Sequence, residues 1–140
     1  MAKKFTNILV PYDDSANAKR ALNHAISLAS ISDASLSVVH VISYQYAMAK
    51  IVQPYKGKVI SHVKKFMKDA KNLALRDGKL IEQHILYGSI SEEILKLIKK
   101  KKFDLVVMGR RGTTKITGPS LGSVSNVLVQ SSTVPVLVVN

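Results

Sequence analysis

Two short runs constrain the fold of this chain more than any other feature: "FDLVVM" at 103–108 and "VPVLVV" at 134–139. Both are apolar at consecutive rather than alternate positions. A strand with one wet face alternates, whereas a strand covered on both faces does not have to. Three further strand-like runs precede them: "FTNILVP" (5–11), "ASLSVVHVI" (34–42) and "KLIEQHILYG" (79–88). The stretches between them have a helical period. Apolar residues fall at 18, 21, 22, 25, 26 and 29, then at 59, 60, 63, 66, 67, 70, 73 and 74, then at 90, 94, 97 and 98. A fourth, short helix is expected from about 123 to 131. Strands that alternate with helices return through right-handed crossovers, so the strands come out parallel and the helices cover both faces. The expected fold class is therefore α/β: residues 1–140 form one domain with an open five-stranded parallel sheet of Rossmann-like type.

Local signals mark the element ends. Asp14 or Ser15 can cap the first helix, and Asp14 is read as a cap rather than a ligand. Gly78 closes the second helix. Ser89 with Glu92 three residues on reads as a capping box. Glu92 and Glu93 suit a helix start, and Lys99 to Lys102 suit a helix end, on dipole grounds. Residues 43–54 show no clean period and read as a loop, part helical, with Tyr44 and Tyr46 able to cover a ligand or simply to pack.

Composition narrows the chemistry. There is no cysteine, so disulfides, thiolate metal sites and cysteine nucleophiles are ruled out. No apolar run approaches the roughly 18 residues of a membrane helix, and the start lacks a signal-peptide pattern, so a cytoplasmic location and no membrane partner are expected. The formal charge is +12, from 21 basic and 9 acidic residues, which brings nucleic acid, anionic lipid and phosphorylated small molecules into view. The plainer reading of the lysines is a solvated coat on helix surfaces. His24, His40, His62 and His84 show no metal spacing, and only His40 falls near a strand end that a ligand would approach.

Ligands of open parallel sheets bind beyond the carboxyl ends of the strands, where the strand order reverses. Pro11-Tyr12-Asp13, His40-Val41-Ile42 and the run from Gly109 onward should all end on that edge. That last run is "GRRGTTKITGPSLGSVS" (109–125). Its glycines let backbone amides approach a ligand, and Gly122-Ser123 sits where a helix begins, which makes an anion site. Ser123 and Ser125 can add hydroxyl donors, and Arg110 and Arg111 bring permanent charge. Phosphate is the ligand this chemistry suits. The string is neither a Walker A loop nor a Gly-x-Gly-x-x-Gly turn.

The spacing Gly109-x2-Gly112-x9-Gly122-Ser123, with "NILVPYDDS", "VVHVI" and "SLGSVSNVLVQSSTVPVLVV" around it, resembles nucleotide-binding members of the universal stress protein family over the whole chain. The resemblance implies strand order 3-2-1-4-5, an adenine-nucleotide alpha-hydrolase-like fold, and a homodimer through the last strand, 134–139. It implies ATP, or AMP or ADP, as ligand, with Mg or Mn accompanying the phosphates. Pro11, Tyr12 and Val41 would line the base pocket, and Asp13 would face the ribose or the phosphate-bound metal. Met108 and Gly109 would contact ribose; Arg111, Gly112, Gly122, Ser123, Val124 and Ser125 would surround the phosphates. The spacer "TTKITGPSL" departs from the usual leucine-rich segment by carrying Gly118 and Pro119.

Phosphoryl transfer needs a base or a water-positioning group in addition to a metal, and no convincing base is visible. A regulatory or stress-response nucleotide-binding module is the leading expectation. A slow ATPase or a switch that phosphorylates its own Ser or Thr is the alternative. A basic nucleic-acid-binding protein comes third, because Phe5, Phe66 and Phe103 fall at core positions and leave no stacking platform.

Overall fold

In the computed structural model, which describes residues 4–43, 54, 56–111 and 120–140, the chain runs β1 (Asn7–Pro11), α1 (Ala16–Ser32), β2 (Ser35–Ser43), α2 (Lys56–Arg76), β3 (Ile81–Gly88), α3 (Ile90–Lys100), β4 (Leu105–Gly109), α4 (Ser123–Ser131) and β5 (Val136–Val139). Every strand pairing is parallel, and the order is β3-β2-β1-β4-β5. The central strand is β1, and its Ile8, Leu9 and Val10 are fully buried. Both faces of the sheet are covered at β4, whose five residues are all buried, as its consecutive apolar run requires. At the sheet edge, β5 has no fully buried residue and leaves Leu137 exposed, so its run does not mark a strand covered on both faces. Ile8, Val10 and Val38 pack with α1 and α2 through Leu22, Ile26, Phe66 and Met67. Leu9, Val39, Val41 and Val106 pack with α3 and α4 through Ile94, Ile98 and Leu128. Burying side chains such as Leu22 or Leu128 stabilises the fold by about 2–3 kcal/mol each.

Several boundaries differ from the sequence reading. The cap of α1 is Ser15, whose Oγ accepts the Ala18 N–H at 3.1 Å. Asp14 lies in left-handed backbone at φ 65° and faces Lys19 at 3.5 Å, so it does not cap. Ser89 is the N-cap residue of α3 but makes no side-chain cap bond. The capping box with Glu92 is not formed; Glu93 folds back instead, over the space a Cβ on Gly88 would take, 2.7 Å from Glu93 Cγ. Gly78 does end α2: at φ 70° its N–H reaches Leu75 O, and Lys79 N–H reaches Ala74 O, both at 3.0 Å. The fourth strand starts two residues later than its apolar run: Phe103 N–H still donates to Ile98 O of α3 at 3.1 Å, and the Asp104 carboxylate accepts the Thr6 and Asn7 amides at 2.8 and 3.0 Å. Phe66 and Phe103 are buried as expected, and Phe5 packs against the core from its edge. Tyr44 and Tyr46 lie outside the described residues. Among the described residues no helix is long and apolar enough to cross a membrane.

Candidate functional site

The strand order reverses between β1 and β4, and a cleft of about 220 Å³ opens there beyond their carboxyl ends. Pro11, Tyr12 and Asp13 enter it from β1, and Val39, His40 and Val41 from β2. Met108, Gly109 and Arg111 enter from β4, and Gly122, Ser123, Val124 and Ser125 from the start of α4. Eleven of the twelve residues expected to bind a nucleotide therefore line one cleft. The twelfth, Gly112, lies outside the described residues, as do Gly118 and Pro119.

Two anchors hold the α4 end of the cleft. The carbonyl of Arg110 accepts the Gly122 N–H at 2.8 Å and the Ser125 hydroxyl at 2.7 Å. Arg111 Nε donates to Ser120 O at 3.0 Å. The buried Ser125 is thus a brace for the loop, its proton committed to backbone rather than offered to a ligand. The first intrahelical bond is Asn126 N–H to Gly122 O, and among the described residues no side chain caps α4. The amides of Ser123 and Val124 consequently open the helix toward the cleft, the arrangement that favours an anion. Gly122 has ordinary backbone angles, φ −67° and ψ 164°. A Cβ there would lie 3.3 Å from Arg110 O and Arg111 Cα. Gly109 is glycine for a different reason: a Cβ would sit 2.7 Å from Asn17 Cβ and 2.8 Å from the Asn17 carbonyl carbon, where α1 begins.

The β1 side presents backbone more than side chain. Tyr12 follows Val10 by two residues, so its ring turns to the α2 face and tilts against Phe66, 6.1 Å between centroids. Burial pushes its phenol up to about 12, with Asp14, Asp69 and Asp13 adding to the effect. Beneath it His40 Nδ1 lies 2.7 Å from Tyr12 O. A carbonyl only accepts, so Nδ1 carries the proton. The ring stands edge-on to Phe66 at 5.0 Å. Asp13 Oδ1 accepts the Ser15 N–H at 3.1 Å, so the carboxylate shapes the turn into α1 while it lines the cleft. Among the described residues no group of three His, Cys, Asp or Glu could hold a metal ion.

His40 gives the fold a pH dependence. Burial lowers its pKa below the ordinary 6.5, and His62 lowers it further, while the Tyr12 carbonyl and Asp13 act the other way. His84 is lowered too, chiefly by burial. Between the folded and unfolded pKa values the unfolded chain binds more protons, so stability is complete above about pH 6.5 and falls as pH drops through the folded value. Urea midpoints are expected to fall from about pH 7 to pH 5, less steeply in His40→Gln. Equal slopes in parent and variant would show that His40 does not contribute.

Ala18, Val39, Ile90 and Ile94 also line the cleft and were not anticipated. Helical period marks Ile90 and Ile94 as a core face. Only the strand order reveals that α3 packs on β2 and β3, which brings its first turn to the cleft.

The sequence matches the family model described as "Universal stress protein family" over residues 4–140. It is 32% identical to universal stress protein YxiE of Bacillus subtilis over 96% of this chain and 99% of that protein. The fold superposes on universal stress protein UspA from Lactobacillus plantarum with a TM-score of 0.87 at 24% identity, covering 99% of this chain and 100% of the other. Two further folds of this shape are a universal stress protein in complex with cAMP (TM-score 0.78, 24% identity, 99% of each chain) and one from Archaeoglobus fulgidus in complex with dAMP (TM-score 0.75, 19% identity, 99% and 100%).

Proposed function

This chain belongs to the universal stress protein family, and on that premise we propose that its cleft binds an adenine nucleotide, ATP in preference, and that the protein works as a nucleotide-responsive regulatory module. One observation carries the reading: the uncapped N-terminal turn of α4 opens into the same cleft as an apolar slot made by Val39, Val41, Ile90 and Ile94. A base needs the slot and a phosphate needs the turn. The two folds solved with cAMP and dAMP support adenine as the base. In this reading the backbone of Pro11 and Tyr12 and the side chain of Val41 face the base, and Asp13, Met108 and Gly109 the ribose. Arg111, Gly112, Gly122, Ser123 and Val124 surround the phosphates, and Ser125 keeps the loop in shape. Among the described residues Asp13 is the one carboxylate lining the cleft, which suits Mg or Mn carried in on the phosphates and not a metal caged by the protein. Among the described residues His40 is the only histidine lining the cleft, and it is turned to the Tyr12 carbonyl, so we read the module as one that binds its nucleotide rather than hydrolysing it rapidly. We propose a cytoplasmic location, where the nucleotide is available.

ATP with Mg²⁺ at about 100 times its dissociation constant should stabilise the fold by about 2.7 kcal/mol. For a chain of this size that raises the melting temperature by on the order of 10 °C. GTP should do less. No shift with any adenine nucleotide would remove the proposal.

We also propose a homodimer through β5. As the last strand in the sheet order it leaves an edge unpaired, and its Leu137 is exposed. A bare apolar edge invites pairing, and a two-fold axis would satisfy it. Val136 packs against the core, so Leu137 is the side chain left for a partner. Leu137→Lys is expected to turn a dimer into a monomer in sedimentation at micromolar concentration. A parent that already sediments as a monomer would contradict this.

A further inference from the structure

The positive charge is sorted by sheet face. On one face, α1 carries Lys19 and Arg20 with no acidic residue, and α2 carries six lysines and Arg76 against the single Asp69, a net +8. On the other, α3 and α4 together carry three lysines against Glu92 and Glu93, a net +1. A coat kept only for solubility would have no reason to choose a face. The cations of α1 and α2 are all exposed. Among the described residues no carboxylate pairs with Lys64, Lys65, Lys68 or Lys71. The 21 residues of α2 make a basic stripe about 30 Å long.

A second observation lies on the same layer. Ile31, in the last turn of α1, is 84% exposed, and Leu75, in the last turn of α2, is 43% exposed. The two helix ends are tied together by Lys79, whose N–H donates to Ala74 O at 3.0 Å and whose ammonium reaches Ala29 O at 3.5 Å. Two aliphatic side chains thus project from the end of a lysine-rich layer. Among the described residues of the two helices no Phe, Tyr or Trp is exposed; Phe66 points inward.

We propose that the α1/α2 face docks on an anionic lipid bilayer, with the lysines against the headgroups and Ile31 and Leu75 at the headgroup–acyl boundary. Lysine is a compact point charge suited to dispersed headgroups. Exposed aliphatics beside cations suit a bilayer surface, where apolar burial and attraction to anionic lipid act together. Single-stranded nucleic acid would call for aromatic platforms, and the described residues of α1 and α2 supply none. The cleft faces away from the lipid's contact at the helix C-termini, because α1 and α2 run from the cleft edge of the sheet toward its amino edge.

The test is co-sedimentation of the full chain with vesicles of phosphatidylglycerol and phosphatidylcholine, with vesicles of phosphatidylcholine alone, and a parallel titration with duplex DNA, each at two salt concentrations. The mixed vesicles should bind, the neutral ones should not, and binding should weaken with salt. Each surface cation contributes about fivefold in affinity, so Lys64→Gln with Lys65→Gln and Lys68→Gln should cost on the order of a hundredfold. Lys96→Gln with Lys99→Gln and Lys100→Gln, on the other face, should cost no more than a few-fold. Ile31→Ser should weaken vesicle binding and leave any retention on DNA unchanged. Tighter binding to DNA than to the anionic vesicles, equal losses from the two triple variants, or no vesicle binding would each overturn the proposal.

Discussion

Gly109→Val is expected to lower the melting temperature by on the order of 10 °C. The first added carbon would lie 2.7 Å from Asn17 Cβ and 2.8 Å from the Asn17 carbonyl carbon. Neither is the free end of a flexible chain, so β4 and the start of α1 must separate. Overpacking of this kind costs about 3 kcal/mol. The loss should extend to the cleft, because Asn17 Nδ2 also holds Arg111 O at 3.3 Å. Calorimetry of the ligand-free variant checks this, and an unchanged melting temperature would show that the close approach is not a constraint.

Gly122→Val should do the reverse, sparing the fold and removing the ligand. The backbone at Gly122 suits any residue, and the 3.3 Å contacts ask for a shift of a few tenths of an ångström. Its methyl groups would stand where phosphate oxygens meet the Ser123 and Val124 amides. Charge-assisted hydrogen bonds contribute about 1.5–3 kcal/mol each, so losing two should weaken ATP binding at least about a hundredfold. The melting temperature without nucleotide should move by no more than about 3 °C. Unaltered ATP affinity would mean that the phosphates lie elsewhere.

Elements were legible where a run of side chains repeats one instruction. The apolar runs of β4 and β5 and the helical stripe at 18, 21, 22, 25, 26 and 29 each say the same thing several times over. The sheet order came from likeness to a family and could not be read from period. Single-residue geometry was less legible. Whether Asp14 or Ser15 caps α1 turns on one positive φ, and whether Glu92 or Glu93 folds over α3 turns on the room left by Gly88. Strand parity would have turned the Tyr12 ring away from the cleft, since Ile8 and Val10 already face α2. The roles of Gly109 and Ser125 depend on the arrival of Asn17 and Arg110 from distant positions. The uneven charge of the two helical layers emerges only once the sheet order assigns each helix to a face.

The most direct test of the central claim is a calorimetric titration of Mg–ATP into the purified parent and into Gly122→Val at moderate salt. Saturable binding of one nucleotide per chain to the parent, lost in a variant that remains folded, is the predicted result. A parent that takes up no adenine nucleotide, or a variant that binds as tightly as the parent, would contradict a phosphate site at the start of α4.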